Sequence, residues 1–456
     1  CRFPKKLAEN SIPDIMKYRL KAEVCNMNYM ESIKYLEEEV GFASVPGLSR
    51  IQALLKRLGN PEKKLRCIHV AGTNGKGSSV AMLSSVLRES GCKTASYTSP
   101  HLHRYNERFV INGQEISDEQ FAEEISLMRA YCEAMAAAGE DVPTLFEIVT
   151  SAAFHYFAEQ QVDIAVMEVG LGGTYDATNV IEAPLLSLIM SISMDHMDYL
   201  GNTLSDIARE KCGIIKKNCP VVLYSQEKIV YNMAKEMAQA LSAPFYCETE
   251  NQISVHKQDF DGTIFSVKNH LIDYQEMTLP LSGDYQISNC ITVLNACAIL
   301  QQLGLPLTEE TIRRGILHAS WNGRMEVVKK HPLVLLDGAH NADGIAKLAQ
   351  SLPHYVNGKK ITLVLGVLGD KEYPLMLSEI FPLIHQAVLT EPLSERKLDL
   401  GSLAKATAHF HKPVILEKEI PRAFDRALEI TDSEDMILCC GSLYMIGEIR
   451  EYILSL

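Results

Sequence analysis

A glycine-rich segment with a single lysine is the stretch of the chain whose chemistry is easiest to interpret. The segment, GTNGKGS at residues 72–78, follows a short apolar run (67–71) and precedes a helical pattern (79–89). Glycines let backbone N–H groups approach phosphate oxygens, and the helix that follows directs its positive end at them. Lys76 adds a full charge and Ser78 adds a hydroxyl. The spacing departs from GxxxxGK[ST], and a ligand-free turn is the alternative, but the flanking strand and helix favour a phosphate-binding loop.

Acidic residues and histidines follow three other apolar strand patterns. They are Glu168, the pair Asp195 and His196, and the pair Asp337 and His340. Ligands of open α/β sheets bind at the carboxyl ends of the strands, where carboxylates suit Mg²⁺ and histidine suits metal binding or proton transfer. Each residue also has a structural alternative, because a carboxylate can cap a turn and a lone histidine is more often part of the scaffold.

Two basic residues lie near these segments. Lys211 stands near the end of a helical pattern ahead of Gly213, where a lysine is normally a solvated surface charge but could point inward. Arg324 follows the only tryptophan, Trp321, at the joint between two alternating blocks. An arginine at such a joint can reach a phosphate across the cleft. An interdomain salt bridge is the competing interpretation.

The order of elements predicts an α/β protein with two domains. Apolar strand runs alternate with helical patterns, which is typical of a mostly parallel sheet with helices on both faces. Short alternating segments between 253 and 281 indicate a small antiparallel sheet. We therefore predict an N-terminal P-loop ATPase-type domain (27–324) that contains both sheets, and a C-terminal Rossmann-like α/β domain (325–456). Residues 1–26 depart from the regular pattern and are interpreted as an atypical N-terminal extension ahead of Met27.

Periodicity sets the bounds of the predicted elements. The predicted strands are 67–71, 94–98, 163–169, 185–192, 220–224, 263–267, 333–337, 361–366, 387–390, 414–416 and 436–440. The predicted helices in the first domain are 79–89, 146–159, 204–215, 289–303 and 309–317, after an interrupted helical pattern over 29–58. No Gly/Ser-rich linker joins the two blocks, so we expect a short joint and closely packed domains.

Composition narrows the class of partner. A chain of 456 residues exceeds what one core usually supports. The formal net charge of −13 argues against nucleic acid as the main partner. Twelve scattered cysteines without a CxxC pair indicate reduced, mostly buried thiols. No apolar run has membrane-spanning length and no signal-peptide pattern is visible, so we expect a cytoplasmic protein without a membrane partner.

The motifs together resemble the folylpolyglutamate synthase and dihydrofolate synthase family within the Mur ligase superfamily. The matching motifs, in the order of the family, are GTNGKGS (72–78), TSPHL (98–102), LFE (145–147), GLGG with DATN (170–179), Asp195-His196, Glu210-Lys211, Gly323-Arg324 and DGAHN (337–341). The resemblance runs from about Asn28 to the C-terminus. One motif alone would be weak, but eight in order are highly specific.

This resemblance implies roles for individual residues at the nucleotide and metal end of the site. The implied ATP-binding residues are Asn74, Gly75, Lys76, Gly77, Ser78, Asn289, Arg324 and Asp337. The implied Mg²⁺ ligands are Ser99, Glu168, His196 and a carbamylated Lys211. The implied catalytic residues are Lys76, Lys211, Asp337 and His340. Carbamylation turns a cation into an anionic ligand, which explains why a lysine could face a metal.

The resemblance also implies where the other two substrates bind. The implied folate or pterin pocket consists of Gly47, Leu48, Ser49, Thr144, Leu145, Phe146, Glu147, Tyr175, Asp176 and Ala177. Glutamate is expected around Asp337, His340 and Ser442. Members of the family often carry Arg where Thr174 stands and Pro where Asn322 stands. Thr174 borders the implied folate pocket, so this departure concerns pterin specificity and not the type of reaction.

The implied activity is an ATP-dependent ligase that adds L-glutamate to the terminal carboxylate of a tetrahydrofolate polyglutamate through an acyl phosphate. Within the family, addition of the first glutamate to dihydropteroate, or both activities, stays open. Two further functions compete with these, a UDP-muramyl peptide ligase and an inactive nucleotide-binding module. The expected ligands are ATP, Mg²⁺, a folate or dihydropteroate and L-glutamate, bound by a monomer.

Overall fold

The computed structural model describes residues 26–41 and 45–455. The predicted N-terminal extension, residues 1–26, lies outside the described residues except for its last one. The domain limits predicted at 26/27 and 324/325 stay a prediction. Within the described residues, no helix has both the length and the apolar composition that crossing a membrane requires, and all ten cysteines are free thiols.

The first sheet has eight strands, most of which are parallel. Its strands are β1 (Cys67–Ala71), β2 (Thr94–Tyr97), β3 (Phe109–Ile111), β4 (Gln114–Glu115), β5 (Ile164–Glu168), β6 (Leu186–Ile189), β7 (Val221–Leu223) and β8 (Phe245–Tyr246). Their order across the sheet is β4-β3-β2-β5-β1-β6-β7-β8, and only the β2–β3 and β3–β4 pairs are antiparallel. The C-terminal ends of β1, β2, β5 and β6 therefore meet at one edge, as predicted from the sequence.

Helices cover both faces of this sheet. They are α1 (Tyr29–Lys34, continued by a π-helical turn at Tyr35–Val40), α2 (Ser49–Arg57), α3 (Lys76–Glu89), α4 (Asp118–Ala137), α5 (Leu145–Glu159), α6 (Met197–Leu200), α7 (Leu204–Cys212), α8 (Lys228–Ala240), α9 (Asp284–Gln302) and α10 (Glu309–Leu317). One face packs against α3, α9 and α10, and the opposite face packs against α1, α2, α4 and α5. Helix α3 begins at Lys76 and not at residue 79 as predicted, because the chain turns through a left-handed Gly75 (φ 84°) directly before it.

The predicted small antiparallel sheet is present between β8 and α9. Its strands are β9 (Gln252–Asp259), β10 (Gly262–Lys268) and β11 (Asp273–Leu279), in the order β11-β10-β9. A turn at residues 260–261 joins β9 to β10. Apolar residues of β10 and β11 join the core that surrounds α9.

The C-terminal part forms a separate six-stranded sheet. Its strands are β12 (Glu326–Lys330), β13 (Leu333–Leu336), β14 (Ile361–Leu365), β15 (Gln386–Leu389), β16 (Val414–Leu416) and β17 (Met436–Cys440), in the order β12-β13-β17-β14-β15-β16. Only the edge strand β12 is antiparallel to its neighbour. The covering helices are α11 (Ala342–Val356), α12 (Tyr373–Ile380), α13 (Leu400–Thr407), α14 (Ile420–Ile430) and α15 (Leu443–Ser455). Apolar clusters on both faces of this sheet confirm the predicted α/β layering.

Candidate active site

The glycine loop connects β1 to α3 at the edge where the strand ends meet. Gly72 and Gly75 both have positive φ (150° and 84°). A Cβ on Gly75 would lie 2.6 Å from Oδ1 of Asn289, and a Cβ on Gly77 would lie 2.5 Å from the Trp321 ring. Glycine is therefore required at position 75 by both backbone conformation and a close neighbour, and at position 77 by the close neighbour alone.

Asn289 and Ser78 are linked through Gln286, which was not predicted as a site residue. The side chain of Gln286 is fully buried, donates to Ser78 Oγ (3.1 Å) and accepts a hydrogen bond from Asn289 Nδ2 (3.0 Å). This chain of contacts fixes the first turn of α3 against α9. The spacing of Gln286 and Asn289, three residues apart on one helix, is the only sequence signal that could have identified Gln286.

Lys76 and Glu168 face each other across the loop. Lys76 Nζ lies 3.9 Å from Oε1 of Glu168 and donates to the Thr73 carbonyl oxygen (3.2 Å). Glu168 Oε2 accepts from the backbone N–H of Ser99 at 3.4 Å. Glu168 is 4% exposed, and burial raises its pKa to about 7 against the opposing effect of Lys76. The nearby positive charge does not fully stabilise the ionised form of Glu168, and a bound cation would stabilise it further.

His196 and Lys211 are the other two predicted metal ligands. His196 lies after β6, and Lys211 lies on α7. Burial lowers the pKa of His196 to about 4 despite the neighbouring Asp195, so the imidazole is neutral at pH 7. Lys211 is buried, and its Nζ donates to the Gly72 carbonyl oxygen at 3.0 Å. Burial and then Lys76 lower the pKa of Lys211 to about 7. The lysine therefore points inward, against the ordinary expectation for a helical lysine.

These donors fit a hard divalent cation that keeps water and phosphate ligands. Ser99, Glu168 and His196 supply a hydroxyl, a buried carboxylate and a neutral imidazole. Mg²⁺ is commonly held by one or two protein oxygens plus substrate phosphates. No cluster of three or more His, Cys, Asp or Glu side chains in metal-binding geometry occurs within residues 26–41 and 45–455, so the described part of the chain contains no all-protein metal cage.

The C-terminal sheet supplies the opposite wall of the cleft. Asp337 follows β13 and is buried, and its carboxylate accepts hydrogen bonds from the Met325 N–H (2.9 Å), the Ala339 N–H (2.8 Å) and the Tyr285 hydroxyl (3.2 Å). Burial raises the pKa of Asp337, and Arg324 opposes that rise. Arg324 donates to the Gly323 carbonyl oxygen at 2.9 Å. It lines the cleft and is not held in an interdomain salt bridge within 4.0 Å among the described residues.

His340 and Ser442 lie at the ends of β13 and β17, two neighbouring parallel strands. His340 Nδ1 lies 2.7 Å from the Gly338 carbonyl oxygen, which assigns the proton to Nδ1 and leaves Nε2 as a free acceptor. Burial and then Lys371 lower the pKa of His340 to about 4. Ser442 is 1% exposed, and its Oγ has no hydrogen-bond partner among the described residues. A buried hydroxyl without a partner is uncommon, and it leaves bonding capacity for a ligand.

Direct polar contacts join the two walls. Asn74 Nδ2 donates to Asp343 Oδ2 (2.6 Å), and Lys371 Nζ contacts Asp195 Oδ1 (2.7 Å) in an ion pair whose side chains are almost fully buried. Asn341 Nδ2 donates to the second oxygen of Asp195 at 2.8 Å. Lys371 and Asp343 were not predicted as site residues from the sequence. Lys371 has a weak signal, because it stands in a loop shortly after the predicted strand 361–366.

Most of the predicted site residues therefore meet in one cavity of about 140 Å³ between the two sheets. We call it the central cleft. Its wall includes the glycine loop together with Ser99, Glu168, His196, Lys211, Asn289, Arg324, Asp337 and His340. Ser442 lies directly before Leu443, which does line the cleft.

The ten residues predicted for the folate pocket do not line the central cleft, although Phe146 and Asp176 contact Gly170, which does. Thr144 caps α5, and Glu147 Oε2 accepts from the Thr144 N–H (2.7 Å) and from Arg50 Nε (3.0 Å). This ion pair brings α2, and with it the end of the segment Gly47–Ser49, to the start of α5. Leu145 is in the core, whereas Phe146 packs so closely against Gly170 that its ring would obstruct a Cβ there.

The predicted folate residues after the glycines differ in exposure. Tyr175 is 58% exposed, whereas Asp176 and Ala177 are buried. Asp176 accepts from the N–H groups of Gly170 (3.0 Å) and Leu171 (2.9 Å) and so holds the turn that follows Glu168. None of the ten predicted residues is among the described residues that line the central cleft.

Two helix-covered β-sheets face each other across a cleft. The cleft contains a glycine loop, a buried carboxylate and an inward lysine, and this combination defines a Mur-type ligase. The Mur ligase middle domain family matches residues 70–297, and the family described as Mur ligase, glutamate ligase domain, matches residues 323–443.

Comparison with individual proteins narrows the class to one family. The chain is 35% identical to "Dihydrofolate synthase/folylpolyglutamate synthase" of Bacillus subtilis over 93% of its length and 98% of that protein. It is 33% identical to "Folylpolyglutamate synthase" of Lacticaseibacillus casei over 94% and 99% of the two chains. A solved folylpolyglutamate synthase of Mycobacterium tuberculosis, complexed with ADP and AMPPCP, has a TM-score of 0.84 and 31% identity over 93% and 99% of the two chains. The chain belongs to the folylpolyglutamate synthase and dihydrofolate synthase family, which confirms the resemblance predicted from its motifs.

Proposed function

We propose that the protein is an ATP-dependent ligase that joins L-glutamate to the terminal carboxylate of a tetrahydrofolate polyglutamate and releases ADP and phosphate. The observation that carries this proposal is the meeting of a phosphate-type loop on one sheet with Asp337 and His340 on the other, in one cleft. Family membership supports the folate acceptor, since the relatives are named for that reaction.

The glycine loop is proposed to bind the ATP phosphates. Residues 74–78 offer backbone N–H groups at the start of α3, and Lys76 adds the only full positive charge within the loop. Asn289 contacts the loop and Asp337 lies across the cleft from it, which supports a nucleotide that spans both walls. Arg324 is free to contact a phosphate.

Mg²⁺ is proposed to be held by Ser99, Glu168, His196 and a carbamylated Lys211. When bound, the ion supplies polarisation of the γ-phosphate and neutralises charge that develops there. Carbamylation is supported by the buried amine, because a lysine with a pKa of about 7 is about half unprotonated at pH 7 and its neutral form can add CO₂.

The incoming glutamate is proposed to bind between Asp337, His340 and Ser442. Ser442 Oγ has unused hydrogen-bonding capacity, and His340 Nε2 is an unprotonated acceptor for the ammonium group. The pteroyl group of the acceptor is proposed to lie near Phe146 and Tyr175, with the segments 47–49, 144–147 and 175–177 around it. Tyr175 supports this assignment because it is a large exposed side chain available for stacking.

The proposed reaction has two steps, phosphorylation of the acceptor carboxylate and attack of glutamate on the acyl phosphate. A carboxylate oxygen of the acceptor attacks the γ-phosphorus of ATP, the bond to the β,γ-bridging oxygen breaks, and ADP leaves. The amine of glutamate, after loss of a proton, then attacks the acyl carbon. The C–O bond of the acyl phosphate breaks and inorganic phosphate leaves with that oxygen. Acyl phosphates hydrolyse readily, and the polar contacts between the two walls of the cleft support exclusion of water during both steps.

A second candidate activity is the addition of the first glutamate to dihydropteroate. The name of the Bacillus subtilis relative, which combines both activities, favours a bifunctional enzyme. We further propose that the protein acts as a monomer, because one chain provides both walls of the cleft.

A phosphate-release assay with ATP and L-glutamate tests the proposal. Tetrahydrofolate, dihydropteroate and a UDP-muramyl peptide are compared as acceptors. We expect glutamate-dependent phosphate release with tetrahydrofolate, with or without release for dihydropteroate. Release with the UDP-muramyl peptide alone would contradict the folate assignment, and no release with any acceptor would favour an inactive nucleotide-binding module.

A further inference from the structure

A second, larger cavity of about 330 Å³ opens beside the central cleft on the opposite side of Glu168. It runs between α3 and β2, and we call it the α3 groove. At its inner end it shares Gly77, Ser99, Glu168 and Arg324 with the central cleft. At its outer end it reaches Arg88, in the last turn of α3. The groove therefore leads away from the proposed reaction centre.

Serine and threonine side chains line both walls of the α3 groove at regular intervals. On β2 and directly after it, the alternate residues Thr94, Ser96 and Thr98 face the groove, while Ala95 and Tyr97 face the apolar core on the other side of the sheet. On α3 the groove is lined by Ala81, Ser84, Ser85 and Arg88, which repeat at helical spacing. Interfaces between a helix and its sheet are usually apolar, so this polar lining is unusual. Ser84 Oγ is buried and has no hydrogen-bond partner among the described residues.

Arg88 gives the outer end a positive charge that the protein does not neutralise. Among the described residues no carboxylate lies within 4.0 Å of its guanidinium, whose only side-chain hydrogen bond is a 3.5 Å contact with Ser85 Oγ. The neighbouring Glu89 is engaged with Arg314 (2.5 Å) and His318 (3.0 Å). Arg88 is therefore free to bind an anion.

The acidic side chains of the groove do not cancel this charge. The carboxylate of Glu107 accepts hydrogen bonds from three consecutive backbone N–H groups, those of Leu102 (2.6 Å), His103 (2.8 Å) and Arg104 (2.8 Å). Glu115 is exposed at the rim. Glu168 belongs to the inner end, where the central cleft begins.

The length of the groove matches a short chain of linked glutamates. Residues 77 and 88 are eleven positions apart on α3, which corresponds to about 16 Å along the helix axis. A γ-linked glutamyl unit is longer than an α-linked residue by two carbon–carbon bonds and extends roughly 6 Å. The groove thus has room for about two such units, each with a free α-carboxylate.

We propose that the α3 groove binds the γ-glutamyl tail of elongated acceptors, with Arg88 contacting an α-carboxylate and the hydroxyls of Ser84, Ser85 and Ser96 donating to the others. The terminal carboxylate then lies at Glu168 and Ser99. A long acceptor therefore has its pteroyl group beyond Arg88, whereas dihydropteroate and the monoglutamate keep theirs in the pocket proposed near Phe146 and Tyr175. This inference rests on the proposed function and adds to it a determinant of acceptor length, separate from the predicted pterin pocket.

The test compares Michaelis constants for dihydropteroate, tetrahydrofolate monoglutamate and tetrahydrofolate triglutamate in the wild-type full-length protein and in Arg88→Ala. We expect the KM for the triglutamate to rise roughly tenfold, as for loss of a charge-assisted hydrogen bond, with a smaller rise for the monoglutamate and the smallest for dihydropteroate. Arg88→Lys should recover part of the affinity for the triglutamate. Arg426→Ala, which removes an exposed helical arginine far along the chain, is the matched control.

Ser84→Leu provides a second, independent variant, because its side chain would fill the groove without removing charge. It should also raise the KM for the triglutamate most. Equal KM changes for all acceptors in both variants, or no change, would overturn the role of the groove while leaving the ligase intact. Absence of turnover by the wild-type protein with every acceptor would overturn the proposed function itself, and the groove assignment with it.

Discussion

Lys76, the first residue of α3, approaches the buried carboxylate of Glu168 to 3.9 Å, and this contact shows how single residues set the electrostatics of the cleft. The carboxylate is buried and its pKa is raised to about 7, so Lys76 alone does not compensate it. Both residues were predicted from their positions after β1 and at the end of β5. Glu168 was predictable because the ends of parallel strands meet at one edge of a sheet.

Lys76→Ala is expected to lower glutamate-dependent ATP turnover by at least about 100-fold, since it removes the only full positive charge within the glycine loop. Steady-state phosphate release measures this loss. Lys405→Ala, at an exposed position on α13, is the control and should keep wild-type turnover. Normal turnover in Lys76→Ala would contradict the assignment of the loop.

Lys211 is expected to carry a carbamate. The protein incubated with ¹³C-labelled bicarbonate should show a carbamate carbon signal by NMR that is absent in Lys211→Arg. The neutral amine is the reactive form, and burial lowers the pKa of Lys211 to about 7. At constant CO₂ pressure the signal should therefore increase from about pH 6 to about pH 8. A plain ammonium throughout this range would rule the modification out.

At the scale of elements, the docking of the loop after β2 onto α15 connects the two sheets. Leu102 packs partly against the apolar cluster of the C-terminal sheet, and its carbonyl oxygen lies so close to Gly447 that a Cβ there would collide with it. The same loop carries Ser99, a proposed Mg²⁺ ligand. The position of α15 thus affects the metal end of the cleft through backbone contact.

Gly447→Ala is expected to displace this loop, because the obstructing atom belongs to the backbone and cannot rotate away. Turnover should fall about tenfold or more, with a higher Mg²⁺ concentration needed for half-maximal rate. Gly369→Ala is the matched control, since its added Cβ would meet only contacts of 3.6 Å or longer. Unchanged Mg²⁺ dependence in Gly447→Ala would contradict the proposed link to Ser99.

Elements were predictable from the sequence where they are buried and strongly periodic. β1, β16 and β17 have the predicted bounds, because their residues are uniformly apolar or nearly so between clear turn signals. The strands β3, β4, β8 and β12 were missed, and β3 and β8 are only three and two residues long. β4 has two exposed residues, and β12 is a half-exposed edge strand with two lysines at its end. Edge strands lack the apolar signal that identifies a buried strand.

At the scale of the whole molecule, the contacts between the two walls were the least predictable part of the site. Asn74 was predicted as an ATP ligand, yet its side chain donates to Asp343 of the C-terminal wall. Lys371 and Asn341 both contact Asp195. Which side chains meet across the cleft depends on the relative placement of two sheets, and periodicity within one sheet contains no information about it.

Lys371→Met is expected to lower the free energy of unfolding by about 3 kcal/mol, because it leaves the Asp195 carboxylate buried without its cation. The double variant Asp195→Asn, Lys371→Met should recover part of this loss. Urea unfolding at neutral pH measures both. Wild-type stability in the single variant would show that the pair does not hold the walls together.

The contribution of the Asp195–Lys371 ion pair to the stability of the folded state is expected to decrease at low pH. Although burial acts the other way, His196 and Lys371 hold the pKa of Asp195 well below its usual range. The ionised carboxylate therefore stabilises the folded state fully above about pH 4, the ordinary value for aspartate, and this contribution is lost as the pH falls further. The stability difference between wild type and Lys371→Met should shrink as the pH falls below about 4.

Transfer of oxygen from the acceptor to phosphate tests the central claim most directly. Tetrahydrofolate with ¹⁸O in its terminal carboxylate is incubated with ATP, L-glutamate and the protein, and the released phosphate is analysed by mass spectrometry. An acyl-phosphate ligase predicts one ¹⁸O atom in the phosphate for each glutamate added. Glutamate addition that yields phosphate without ¹⁸O, or ATP hydrolysis without glutamate addition, would contradict the account.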